Sequence, residues 1–397
     1  MPIHTQPLIT IDDHRRVIAL RRDLHQHPEL AFDEHRTAER VEYELHQHGY
    51  ITERIAGTGV VAVIEGALPG PTTLLRADMD ALPVTEQNTH DYVSVNPGRM
   101  HACGHDGHTA ILLLVAQLLR RHQTSLPGTT VLLFQPAEEG AGGAVKVLED
   151  GLIDRYKPEY CGGLHLWSDV PTGTLLVTSG PFMASMDRFD ITLTGRGGHG
   201  AIPQSTRDPV VAAAQLVLDL QTVVSRRVDP LEAAVVTVGS IHGGDAFNVI
   251  PDRVTLSGTV RTFSKTTQVN IEDWIRNIAA AQALASDIAI EVSYETAAFP
   301  TANAPLPCTW FTDAAKTIDG IDTVRHDFKT MGSEDMSYLL DRIPGAYVFL
   351  GAGNPKVGAK YPHHHPNFEI DEAALPIGAE LLFRYVHRVA SGSREAT

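Results

Sequence analysis

A chain of 397 residues is long for a single hydrophobic core and implies two domains, and its 43% hydrophobic and 20% charged residues are those of an ordinary folded protein. The formal net charge of -16, from 32 Lys and Arg against 48 Asp and Glu, disfavours nucleic acid and anionic membrane surfaces as partners. No basic stretch followed by an apolar one opens the chain, the longest strongly apolar run (111–119) is far short of a membrane span, and three scattered cysteines make no disulfide framework, so a reduced, cytoplasmic setting is expected.

In chain order, apolar residues at helical spacing predict helices over 12–27 (Val17, Leu20, Leu24) and 34–48 (Ala38, Val41, Leu45). Short β-rich segments follow at 59–65 and 72–76. A helix over 106–122, a buried strand at 129–134, a helix at 142–149 and a strand at 161–167 continue the alternation. Such alternation implies an α/β domain with a mostly parallel central sheet flanked by helices. A different order then begins: strand 188–195, helix 209–225, strands 233–240 and 254–262, helix 268–285 and strand 287–294. This β-α-β-β-α-β series is the ferredoxin-like split unit. Helices at 306–318 and 333–340, a strand at 346–350 and a helix at 372–387 resume the first pattern. The expected organisation is one domain made of 1–183 and 298–397, with 184–297 inserted into it.

The chemistry concentrates in residues 100–108, Met-His-Ala-Cys-Gly-His-Asp-Gly-His, ahead of a helix. Thiolate and imidazole are ligands that zinc and related divalent metals prefer, and the helix N-terminus favours the thiolate of Cys103. His101 and His108 read as bystanders or supporting residues. After the strand at 129–134 comes Gln135-Pro136-Ala137-Glu138-Glu139-Gly140. Adjacent carboxylates point different ways, so one can bind metal while its neighbour faces a substrate water. His165 ends an apolar strand, and His363, His364 and His365 form a tract between two prolines. Cys103, His105, Glu139, His165 and one C-terminal His make five ligands, more than the four a single zinc accepts, so two metal ions are expected.

These segments, with Arg76-Ala77-Asp78-Met79-Asp80-Ala81-Leu82-Pro83, Gly197-Gly198-His199-Gly200 and Pro366-Asn367-Phe368 before Ala374-Leu375-Pro376-Ile377-Gly378, resemble in order the metal-dependent amidohydrolases that include hippurate hydrolase, N-acyl-amino-acid aminoacylases and indoleacetyl-amino-acid hydrolases. The resemblance implies a dinuclear catalytic domain, an inserted lid and dimerisation domain, and a homodimer or dimer-based oligomer. It implies Cys103, His105, Glu139, His165 and His364 as ligands, with His363 and His365 as flanking alternatives, and Glu138 as general base. It implies His199 as oxyanion donor, Asn248 and Arg261 as holders of a substrate carboxylate, and Asp78 and Asp80 as loop-shaping residues. Pro203-Gln204 departs from the Pro-His of many members, which bears on substrate preference. For Glu334, in the Met331–Asp335 segment, helix capping by Ser333 is a sufficient account.

The activity so implied is hydrolysis of an N-acyl amino acid by a metal-held hydroxide; zinc is expected, with manganese, cobalt or nickel tolerated. A dipeptidase or carboxypeptidase is the alternative on the same framework. A Cys103-nucleophile hydrolase and a non-catalytic metal-dependent binding protein are the rivals from other classes.

Overall fold

The computed structural model describes residues 8–392 and divides into two compact units. The chain opens with helices α1 (Ile11–Gln26) and α2 (His35–Gln47) and strands β1 (Thr52–Ile55), β2 (Gly59–Glu65) and β3 (Leu68–Asp78). Next come α3 (His105–Arg121), β4 (Pro127–Gln135), β5 (Tyr160–Pro171) and β6 (Thr174–Leu176). Then follow β7 (Met186–Thr194), α4 (Pro209–Thr222), β8 (Ala234–His242), β9 (Arg253–Thr262), α5 (Lys265–Ser286) and β10 (Ala289–Ala298). The chain closes with α6 (Pro305–Ala315), β11 (Thr323–Arg325), β12 (Gly345–Gly353) and α7 (Ala374–Gly392).

Among the described residues, the first unit comprises 8–180, 302–328 and 338–392. Its sheet has the order β1-β2-β4-β3-β5-β12-β6-β11. The central strands β4, β3, β5 and β12 run parallel, while β1, β2 and β6 add antiparallel pairs towards the edges. Parallel strands covered on both faces read as continuous apolar runs, and Val131-Leu132-Leu133-Phe134 is one, fully buried. The α1 helix starts at a capping box in which Thr10 and Asp13 satisfy each other's backbone N–H. Helix α3 is buried from His105 to Ala116 and packs against α1 and α7. This all-round burial lets an apolar helix hold polar residues at its first turn.

The second unit comprises 181–301 and 329–337, so it extends beyond the expected 184–297 and takes in a segment from the far side of the larger domain's sequence. Its four-stranded antiparallel sheet has the order β8-β9-β7-β10. In β7, Phe189, Ile191 and Leu193 face a core shared with α4 and α5, and the residues between them face away. Asp208 caps α4 through the N–H groups of Val210 and Val211, with Pro209 in the first turn. Ser264 caps α5 through the Thr267 N–H. At 331–336 the expected cap is corrected: Glu334, not Ser333, accepts the Met336 N–H at 3.0 Å, and the Ser333 hydroxyl turns to the Met186 sulfur.

Candidate metal centre

Three parallel strands and one helix bring the candidate residues of the first unit together. β3 ends at Asp78 and the chain goes on to Asp80; β4 ends at Gln135 and turns through Glu138 and Glu139. The β3–β5 register pairs Arg76 with Gly163, so His165 stands level with the end of β3. Helix α3 begins at His105, and the loop before α7 carries His363 and His364. Open α/β sheets place their sites at such carboxyl ends of parallel strands.

Ligand-capable atoms of Cys103, Glu139 and His364 lie within 4.8 Å of one another, as do those of His105, Glu138 and Glu139, and those of His105, His108 and His165. The five residues expected as ligands thus form one cluster with Glu138 beside it. Hydrogen bonds sort the imidazoles further. His105 turns Nδ1 to the Asp80 carboxylate at 3.3 Å, which leaves Nε2 as the lone-pair nitrogen, buried and without a hydrogen-bond partner. His165 turns Nδ1 to the Leu166 carbonyl at 2.8 Å, and its Nε2 lies 3.5 Å from the Cys103 sulfur. Both rings aim a lone pair into the cluster. His108 differs: Nε2 accepts the Leu166 N–H at 2.8 Å and Nδ1 meets Asp78 at 2.6 Å, so no lone pair remains for a metal. His101 is buried with neither ring nitrogen hydrogen-bonded, and burial pushes it down to about 4.

The carboxylates have separate tasks. Asp78 is clamped between Arg76 at 2.7 Å and His108. Burial works against its ionisation, but His105, His108 and Arg76 hold it well below the usual carboxylate range. Asp80 binds His105 through one oxygen and accepts the Glu139 N–H through the other at 2.9 Å. The Glu139 Oε1 is buried without a hydrogen bond, 3.9 Å from His105 Nε2 and 3.5 Å from His364 Nε2. An orphaned imidazole nitrogen and an orphaned carboxylate oxygen facing each other across that distance fit a cation between them. With the thiol beside them the donor set is that of zinc and its neighbours.

Local backbone supports the arrangement. Gly104 sits at φ 91, a left-handed conformation that lets Cys103 and His105 converge across the start of α3. Ala137 at φ 58 aims the two glutamates, and the buried Glu34 carboxylate accepts its N–H at 2.8 Å. His364 sits at φ 66, its N–H tied to the Ala102 carbonyl at 2.8 Å. Such positions persist only where surrounding contacts over-determine them. Burial and Glu139 push the Cys103 thiol up against the helix N-terminus that was expected to lower it. The Cys103 sulfur and the Glu139 carboxylate beside it pull His364 up to about 10, since both favour positive charge at that ring.

Three residues with expected roles lie in the second unit. His199 is exposed on a two-residue strand paired with Val249, and its Nδ1 accepts the Ala201 N–H at 3.0 Å. Asn248 is exposed beside it and accepts the Gly200 N–H through its carbonyl at 2.8 Å. Arg261 is half-buried in β9 and donates to Thr259 and to the Val260 carbonyl.

Sequence reasoning missed the layer behind α3. Arg21 and His25, both fully buried, bind Asp106 at 2.8 Å each, and His25 also meets Glu86 at 3.1 Å. Arg21 continues to Glu369 at 2.7 Å and Arg22 to Glu372 at 2.7 Å. Their one sequence signal is polarity on an otherwise buried helix face. Glu34 gave no signal at all.

A parallel-sheet α/β unit carrying a thiol, imidazoles and paired carboxylates at its strand ends belongs to a hydrolase, and the chain is a member of peptidase family M20/M25/M40, whose sequence pattern matches residues 74–388. It is a hydrolase acting on amide bonds. The chain is similar to N-acetyl-L-cysteine deacetylase of Bacillus subtilis (strain 168), 40% identical over 339 residues that cover 85% of this chain and 79% of that one. It is similar to IAA-amino acid hydrolase ILR1-like 4 of Arabidopsis thaliana, 40% identical over 331 residues, 82% of this chain and 74% of that one. The Bacillus subtilis YXEP protein, a dinuclear metal binding peptidase of the M20 family, superposes with a TM-score of 0.84 at 34% identity over 96% of this chain and 99% of that one. The cysteines are all free, and among the described residues no helix is long and apolar enough to cross a membrane.

Proposed function

We propose that the enzyme hydrolyses the amide bond of N-acyl amino acids. The observation that carries this reading is the Glu138-Glu139 turn set against Cys103, His105, His165 and His364, with one buried carboxylate oxygen and one buried imidazole nitrogen left without hydrogen bonds. Cys103, His105, Glu139, His165 and His364 would hold two divalent ions, which supply polarisation of the scissile carbonyl and acidify the attacking water. The thiolate favours zinc, with manganese, cobalt or nickel as substitutes.

The chain's own residues do the rest. Asp80 fixes the His105 ring and the Glu139 backbone together, so the cluster is held before substrate arrives. Glu138 takes the proton of the attacking water and returns it to the leaving nitrogen. His199 steadies the oxyanion: its Nδ1 accepts a backbone N–H, so in the neutral ring Nε2 carries the proton and donates. Asn248 and Arg261 take the free carboxylate of the amino-acid half, Arg by a two-pronged contact. The inserted segment 184–297 serves as lid and dimerisation domain, and the working form is a homodimer in the reducing cytoplasm, where Cys103 stays reduced.

Relatives named for N-acetylcysteine and for indoleacetyl-amino-acid conjugates support the substrate class. The test is a panel of N-acetyl, N-benzoyl and indoleacetyl amino acids and dipeptides, run on protein reconstituted with each metal. Release of free amino acid by the wild type and none by Glu138→Gln, which keeps its metal content, is the expected result. Near-wild-type turnover by Glu138→Gln refutes the assigned base.

A further inference from the structure

The His363-His364-His365 tract offers three imidazoles to one cluster, and the structure gives each a different environment. His365 Nδ1 accepts the Asn367 N–H at 3.0 Å and its ring stacks on Tyr361, which braces the loop. His364 points Nε2 at Glu139. His363 reaches the Cys103 sulfur with Nδ1 at 3.8 Å, and Cys103, His165 and His363 lie close enough to hold a metal. By proximity alone His363 competes with His364 for the role of last ligand.

The far side of the His363 ring decides between them. Its Nε2 accepts the backbone N–H of Ser168 at 3.3 Å, on strand β5. A nitrogen that accepts carries no proton, so in the neutral imidazole the proton sits on Nδ1. Accepting at Nε2 also requires a neutral ring, because an imidazolium carries a proton on both nitrogens. A protonated Nδ1 has no lone pair for a metal and can only donate. Metal binding through Nδ1 would move the proton to Nε2 and set it against the Ser168 N–H, with the loss of that hydrogen bond. The ring cannot easily swing away either. Trp167 lies 4.5 Å from it and is itself stacked on Phe349, while Phe368 lies 5.0 Å from it.

We infer that His363 is a positioning residue and not a ligand: the Ser168 N–H fixes its tautomer, and its Nδ1–H donates to the sulfur of Cys103. The donated hydrogen bond withdraws electron density from the thiolate and limits its rotation, so His363 tunes the metal centre through Cys103. Residues that orient a ligand in this manner typically change metal affinity 10–100-fold when lost. The inference rests on the reading of Cys103 as a metal-held thiolate.

The direct test is long-range proton–nitrogen correlation on zinc-loaded enzyme labelled at histidine nitrogen, with the His363 ring identified by the signals missing in His363→Asn. A protonated Nδ1 with a bare Nε2 is expected; a protonated Nε2 overturns the inference. The second test uses cobalt(II)-loaded protein. His363→Phe keeps a ring between Trp167 and Phe368 but removes the donor, so the thiolate-to-cobalt absorption should move to lower energy and cobalt affinity fall about 10–100-fold. His363→Asn, whose amide N–H stands where Nδ1–H stood, should restore both. Loss of one cobalt per chain in both variants would make His363 a ligand, and an unchanged band and affinity in His363→Phe would leave it no role; either result overturns the inference. Absence of any thiolate-to-cobalt band in the wild type would remove the reading of Cys103 and this inference with it, whereas a wild-type band alongside a protonated Nε2 removes the inference alone. If His363→Phe does not fold, the wild-type tautomer decides.

Discussion

Neutralising His25 should loosen the protein in a pH window set by that residue. His25 is fully buried on α1 between Asp106 at 2.8 Å and Glu86 at 3.1 Å. Burial and the Arg21 guanidinium oppose its protonation, but the hydrogen bonds to Asp106 and Glu86 outweigh them and raise it from 6.5 to about 9. At about 1.4 kcal/mol per tenfold change in proton affinity, the rise corresponds to ~3 kcal/mol of stability. Because the folded value lies above the unfolded one, that contribution is fully present below 6.5 and is lost as pH rises through 9. His25→Gln keeps hydrogen-bonding capacity but cannot take the charge, so the variant should be less stable than wild type by ~2–3 kcal/mol at pH 6, with the gap closing towards pH 9.5. Urea unfolding of both proteins across that range measures the gap, and the difference between them cancels other titrating groups. A gap that stays constant from pH 6 to 9.5 would refute the charged His25. The consequence reaches the site because Asp106, which His25 holds, is the neighbour of His105 in the first turn of α3.

Three further outcomes follow from the same geometry. Asp80→Asn should weaken metal binding about 10–100-fold, measured by chelator competition, because it disturbs the partner of His105 Nδ1 and the acceptor of the Glu139 N–H together. Gly104→Ala should cost about 1–2 kcal/mol in unfolding experiments, from the left-handed backbone alone, since the added carbon would meet nothing closer than 3.7 Å. Exhaustive metal stripping should abolish hydrolysis and lower the unfolding temperature, with both restored by zinc; full activity in stripped protein would favour a thiol nucleophile.

The sequence by itself determined the order of the longer elements and the chemical kind of the site. Apolar runs such as Val131–Phe134 and the alternation Phe189-Ile191-Leu193 report burial directly, because periodicity follows from which face leaves water. The residues 100–108 and the Glu138-Glu139 pair carry their chemistry in their side chains, so they were legible before any fold. Pairing partners were not: the short strands β1, β6 and β11 carry too few residues to show a pattern, and the attachment of 329–337 to the second unit is a matter of packing. Tertiary structure alone decided how the histidines divide their work. His105 and His165 present bare nitrogens while His108 and His363 do not: Asp80 reaches His105, the Leu166 N–H reaches His108 and the Ser168 N–H reaches His363 from distant parts of the chain, while His165 turns its other nitrogen to the carbonyl of its neighbour Leu166. A histidine is identical in sequence whichever nitrogen carries its proton; the fold chooses by placing a donor or an acceptor on the far side of the ring.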